Sequence, residues 1–191
     1  MNLALIHPKV IVIAVVVALI IITAVALYIR QRKHTSAGLR ARFGTEYERA
    51  VQQHGSARKA EAKLADREAR VELLKIRDLD PTERDSYLAQ WQTVQSRFVD
   101  DPKGAVTEAD ELVCSLMQAR GYPVSDFEQR AADISVDHPL VVENYRSAHS
   151  IALQLDSGEA STEDLRTAMI QYRSLFDDLA QVQTPGEIRV A

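Results

Sequence analysis

Cysteine occurs once, at Cys114, so no disulfide can form within the chain. That suits a reducing compartment without excluding the periplasm. Glycine and proline are sparse, seven and six in 191 residues. Turn-rich β folds need both, so their scarcity favours long helices. No acid precedes Glu46. No phosphate-cradling glycine loop, metal-ligand spacing or nucleophile–base arrangement stands out, so the pattern points to no enzyme, cofactor or resident metal. What is present is 46% apolar content, which suits a folded chain, and 157 residues beyond the first 34, enough for one domain with a sizeable core.

The formal net charge of −4 conceals an asymmetry. Residues 30–77 carry a net +7 and residues 78–191 a net −12. The acidic distal part repels phosphates and argues against a nucleic-acid partner.

Residues 10–29 read VIVIAVVVALIIITAVALYI, with one hydroxyl, Thr23, and no charge. At about 1.5 Å per residue this run spans roughly 30 Å, the hydrocarbon thickness of a bilayer. It predicts a single transmembrane helix with Tyr28 as its interfacial aromatic. Lys9 flanks one side, whereas Arg30, Arg32, Lys33, Arg40 and Arg42 follow on the other before any acid. The positive-inside rule then puts the rest of the chain in the cytoplasm, and these five basic residues are expected to contact the membrane surface. A cleaved signal peptide is the rival reading, because Ala24-Val25-Ala26 has the small-x-small form of a cleavage site. Against it, the apolar run exceeds the usual length of about 7–15 residues, one lysine precedes it, and the basic cluster follows at once.

Beyond the anchor, Thr35-Ser36-Ala37-Gly38 reads as a break. Thr45-Glu46-Tyr47-Glu48 reads as a capping box opening a helix that Gly55 closes. Ser56 caps a helix to about Arg77 with a thin stripe of Leu64, Val71 and Leu74, and Asp66 and Arg70 sit at i,i+4. This segment is a solvated stalk, the outer helix of a bundle, or a coiled-coil dimerisation segment. Asp80-Pro81-Thr82-Glu83 starts a helix with Tyr87, Trp91, Val94 and Phe98 on one face. Asp101-Pro102 starts another, with Ala105, Ala109, Leu112 and Leu116 facing inward and Gly121 at its close. Ser125-Asp126-Phe127-Glu128 is read as a third capping box, over Phe127, Ala131 and Ile134. His138-Pro139 opens a helix with Val141, Tyr145, Ala148, Ala152 and Leu155. The last helix starts near Thr162 and carries Leu165, Met169, Tyr172, Phe176 and Leu179, spaced 4, 3, 4, 3.

Several strings carry a family resemblance: Arg42-Phe43-Gly44 with Glu46-Tyr47-Glu48-Arg49-Ala50-Val51, WQTVQSRFVDDP from Trp91, Ala119-Arg120-Gly121-Tyr122-Pro123, and Ser135-Val136-Asp137-His138-Pro139 followed by Asn144-Tyr145-Arg146. Together the chain resembles an uncharacterised family of bacterial proteins with an N-terminal membrane-anchoring segment, often labelled hypothetical, membrane or secreted. The resemblance implies a bacterial source. It implies no activity and no functional residues.

Asp137, His138, Glu143 and His149 are the one cluster that hints at metal chemistry. Ligands on one helix need i,i+3 or i,i+4 spacing, and His149 pairs that way only with Tyr145, a poor zinc ligand. Asp137 and His138 lie at a helix start and read as caps. Cys114, mid-helix beside Leu112, Val113 and Leu116, reads as a small buried hydrophobe rather than a nucleophile. Trp91, Tyr87 and Phe98 read as core rather than pocket lining. Ser161, Ser125 and Thr45 read as helix caps.

The expected organisation is all-α. Residues 1–34 form a transmembrane anchor with a basic flank, 35–79 a juxtamembrane helical stalk, 80–181 an antiparallel helical bundle and 182–191 a flexible tail. The expected role is a membrane-anchored interaction or scaffold module at the bacterial inner membrane. Its expected partners are the lipid bilayer and a protein, or a second copy of itself. The alternatives are a metal-dependent enzyme or sensor at the histidine cluster, and an envelope protein with its bundle outside the cytoplasm.

Overall fold

The computed structural model describes Val17, Leu19 and residues 21–23, 36–123, 125–156 and 158–181. All regular structure among the described residues is helical, with no strand. The all-α class expected from the scarcity of glycine and proline holds. Residues 1–41 and 42–191 are two compact units.

In the first unit Val17, Leu19, Ile21, Ile22 and Thr23 are helical, and the four aliphatic side chains are 48–63% exposed. The Thr23 hydroxyl donates to the Leu19 carbonyl one turn back (2.7 Å), which satisfies it within the helix. No helix among the described residues is long and apolar enough to cross a membrane. Most of the 10–29 run, the Ala24-Val25-Ala26 string and residues 182–191 lie outside the described residues, and the expected span, cleavage site and tail lie there with them.

Residues 36–43 are helical, so the break expected at 35–38 falls instead at Gly44, whose φ is +51°. Helix α1 (Thr45–His54) therefore follows another helix across one residue, and no side chain caps it. Thr45 is not the cap its spacing suggested. Gly55 ends α1 in the left-handed region, its N–H on the Val51 carbonyl, and the Ser56 side chain caps α2 (Ala57–Glu72). The two helices form a hairpin whose seam buries Phe43, Tyr47 and Ala50 on one side and Ala60, Leu64 and Val71 on the other. The stripe expected of a coiled coil is thus used within the chain. α2 is an outer helix packed against α1 rather than a solvated rod. Arg70 turns away from Asp66, which pairs with Lys63 (3.3 Å).

A non-helical connection leads to α3 (Pro81–Arg97), opened by the complete capping box of Asp80 and Glu83. A four-residue turn follows, and α4 (Pro102–Ala119) starts with the Asp101 carboxylate accepting from the Gly104 N–H (2.9 Å). Helix α5 (Phe127–Asp137) is capped by Asp126, one residue later than expected. The Ser125 carbonyl instead accepts from Arg130 (2.6 Å). His138 ends α5 rather than opening the next helix, because residues 139–141 form a turn before α6 (Val142–Asp156). Ser161 and Asp164 make the capping box of α7 (Thr162–Leu179).

α7 lies against α4 and α6, and α4 also against α3. Trp91, Leu112, Leu116, Tyr145, Leu165, Tyr172, Phe176 and Leu179 fill the main core, as their helical spacing required. Trp91 stacks on Phe176, with centroids 4.7 Å apart. Arg120, 6% exposed, ties the ends together. Its guanidinium donates to the Arg77 carbonyl (3.2 Å), the Leu179 carbonyl (2.9 Å) and the Asp78 carboxylate (3.2 Å). Two of these acceptors are backbone carbonyls that no helix satisfies.

Candidate functional site

Of the expected membrane-surface residues, Arg30, Arg32 and Lys33 lie outside the described residues. Arg40 is exposed in the first unit. Arg42 is half-exposed and pairs with Glu68 (2.9 Å), so part of its field is spent within the chain.

Asp137, His138, Glu143 and His149 do not converge. The Asp137 carboxylate accepts from the Tyr122 hydroxyl (2.9 Å). That contact comes second to burial in holding the phenol proton on above its usual pKa. His138 Nδ1 bonds Asp178 on α7. Glu143 is exposed in the first turn of α6, where a negative charge suits the helix N-terminus. His149 lies flat on Phe127, rings 3.6 Å apart at 11°, and burial lowers its pKa. Among the described residues no three His, Cys, Asp or Glu side chains are grouped to hold a metal ion.

Cys114 sits at the α4–α6 contact with Sγ 3.9 Å from the Tyr145 hydroxyl. Burial, then the nearby Asp110 carboxylate, pushes its thiol pKa up. The reactive thiolate is therefore rarer at any given pH than for a free cysteine. Labelling by an alkylating reagent at pH 8 should run about tenfold or more slower in the folded chain than in denaturant. Equal rates in the two states would contradict this placement. Arg130 donates to the Tyr145 hydroxyl (3.2 Å), while Asp110 Oδ1, Tyr172 Oη and His149 Nδ1 are buried with no hydrogen bond of ordinary geometry. This patch is polar core, and its phenols are held protonated first by burial.

The most concentrated electrostatic arrangement was not signalled by any spacing. Glu46 on α1 is 3% exposed and accepts from Arg146 of α6 (2.8 and 3.4 Å) and Arg67 of α2 (3.3 Å). Arg146 also pairs with Glu128 of α5 (2.8 Å). Burial opposes both arginine charges. It prevails at Arg67, whose pKa is lowered, whereas Glu46 and Glu128 together raise that of Arg146. A second bridge joins Arg70 of α2 to Asp133 of α5 (2.6 and 2.8 Å). Asp133 is 1% exposed and accepts also from Gln129 (2.8 Å). Charges this deep stay only when paired, so these bridges fix where α1 and α2 sit on α5 and α6. What they do chemically is hold helices in register. They bring together no nucleophile and base.

Set against family models, curated proteins and solved structures, the chain matches none.

Proposed function

We propose that this chain is a membrane-anchored helical interaction module whose bundle faces the cytoplasm at a bacterial inner membrane and engages a protein partner or a second copy. One observation carries the anchoring. Val17, Leu19, Ile21 and Ile22 are helical, aliphatic and exposed, and at 100° per residue they point to widely separated azimuths. Water penalises such a helix, whereas lipid accepts it on every side. The uncharged run of 20 residues around them has the length a bilayer needs. The basic cluster after the run supports the orientation, and the acidic distal part favours protein over nucleic acid.

Reporter fusions at the C-terminus of the full chain test this directly. A reporter active only in the cytoplasm should give signal from the membrane fraction, and one active only in the periplasm should stay silent. The reverse pattern places the bundle in the envelope. Recovery of the full chain in the soluble fraction removes the anchor from the proposal. Crosslinking in intact membranes should then trap a discrete adduct, and a chain that remains monomeric with no adduct contradicts the interaction role.

A further inference from the structure

We infer that the α1–α2 hairpin is a clasp that undocks from α5 and α6 as one unit while α3 to α7 stay folded. Three features lead there. The hairpin's buried apolar side chains, Phe43, Tyr47, Ala50, Ala60, Leu64 and Val71, do not join the main core, which is built from residues 91–180. They form a satellite seam that stays closed when the hairpin moves as a body.

Two buried ion pairs help attach it to the rest of the unit. Glu46 meets Arg146, and Arg70 meets Asp133, with Ala132 and Val136 as the buried apolar residues of α5 outside the main core. On release those four charged groups regain water. Rehydration offsets much of the lost pairing, so the opening costs less than separating an apolar interface of the same size. The main core has less of this compensation, because most of its side chains are aliphatic or aromatic and no ion pair joins them.

The connection supplies a hinge. α2 ends at Glu72, and Leu73, the residue that follows, is 84% exposed. Beyond the hinge Leu74, Ile76 and Leu79 pack on the main core, and the Arg77 N–H donates to the Arg120 carbonyl (2.8 Å). The swing is therefore confined to one side of Leu73, and the far side stays fixed. Undocking uncovers Ala132, Asp133, Val136 and Arg146, a strip otherwise occupied by the chain's own hairpin.

Native-state hydrogen exchange on the full chain in detergent micelles tests this. Amides of residues 48–72 should share one opening equilibrium, well below that of amides in α4 and α7. In Glu46→Gln their protection should fall a further tenfold or more, while α4 and α7 core amides keep theirs. Hairpin amides that exchange only with global unfolding in the wild-type chain overturn the inference. So does a Glu46→Gln loss spread equally over all helices. The wild-type measurement stands alone if the variant does not fold.

Discussion

Gly121→Ala should destabilise the bundle by about 2–4 kcal/mol, a fall of roughly 5–15 °C in Tm. Gly121 has φ +99°, and an added Cβ would stand 2.4 Å from the Lys75 carbonyl oxygen. That oxygen cannot easily retreat. Two residues on, Arg77 is held to Arg120 through its N–H (2.8 Å) and its carbonyl (3.2 Å). Gly55→Ala is the control. Its φ is +72°, yet nothing lies within 4 Å of the added carbon, so backbone strain alone should cost only about 1 kcal/mol. Thermal melts of the two variants by circular dichroism separate strain from collision. Equal losses would show that the approach of residue 75 to residue 121 carries no energy.

Trp91→Ala should cost about 3–5 kcal/mol, as expected for emptying an aromatic site in a packed core. Trp91 is 2% exposed and stacks on Phe176, and the Arg173 guanidinium lies 5.6 Å from its ring centroid. Its removal strips contacts from α3 and α7 together. Trp91→Phe should retain most of that stability. It loses volume, but it also removes a buried indole N–H that has no hydrogen-bond partner. Urea unfolding followed at 222 nm measures both, with an unchanged m-value as the sign that only stability moved. A Trp91→Ala loss below about 1 kcal/mol would mean the site collapses around the gap or was never packed.

The helices were legible because their signals are local. Asp80-Pro81-Thr82-Glu83 needs only four neighbouring residues to make its capping box, and the box is complete. The inward faces of α4 and α7 were legible for the same reason, since period alone selects Leu112 and Leu116 or Tyr172 and Phe176. Local signals misled where a distant group intervened. Thr45 failed as a cap because a helix already precedes it and the break falls at Gly44. Arg70 left Asp66 for Asp133, a buried acceptor that outweighs an exposed one. Pairings between segments 59 to 100 residues apart leave no spacing in a single sequence. The Glu46 bridge was therefore unreadable, while the residues of the histidine cluster, close in sequence, drew notice and went to separate partners.

The bridges that seat the hairpin also set a schedule during synthesis. Glu46 is made 100 residues ahead of Arg146, and Arg70 is made 63 ahead of Asp133. At about 5–20 residues per second, Glu46 waits roughly 5–20 s for its partner on α6. Helices form in about a microsecond, so α1 and α2 can close their seam long before that. For those seconds Glu46 has Arg67 but not Arg146, and Asp133 does not yet exist to receive Arg70. The hairpin is thus complete well before the helices that seat it have been made.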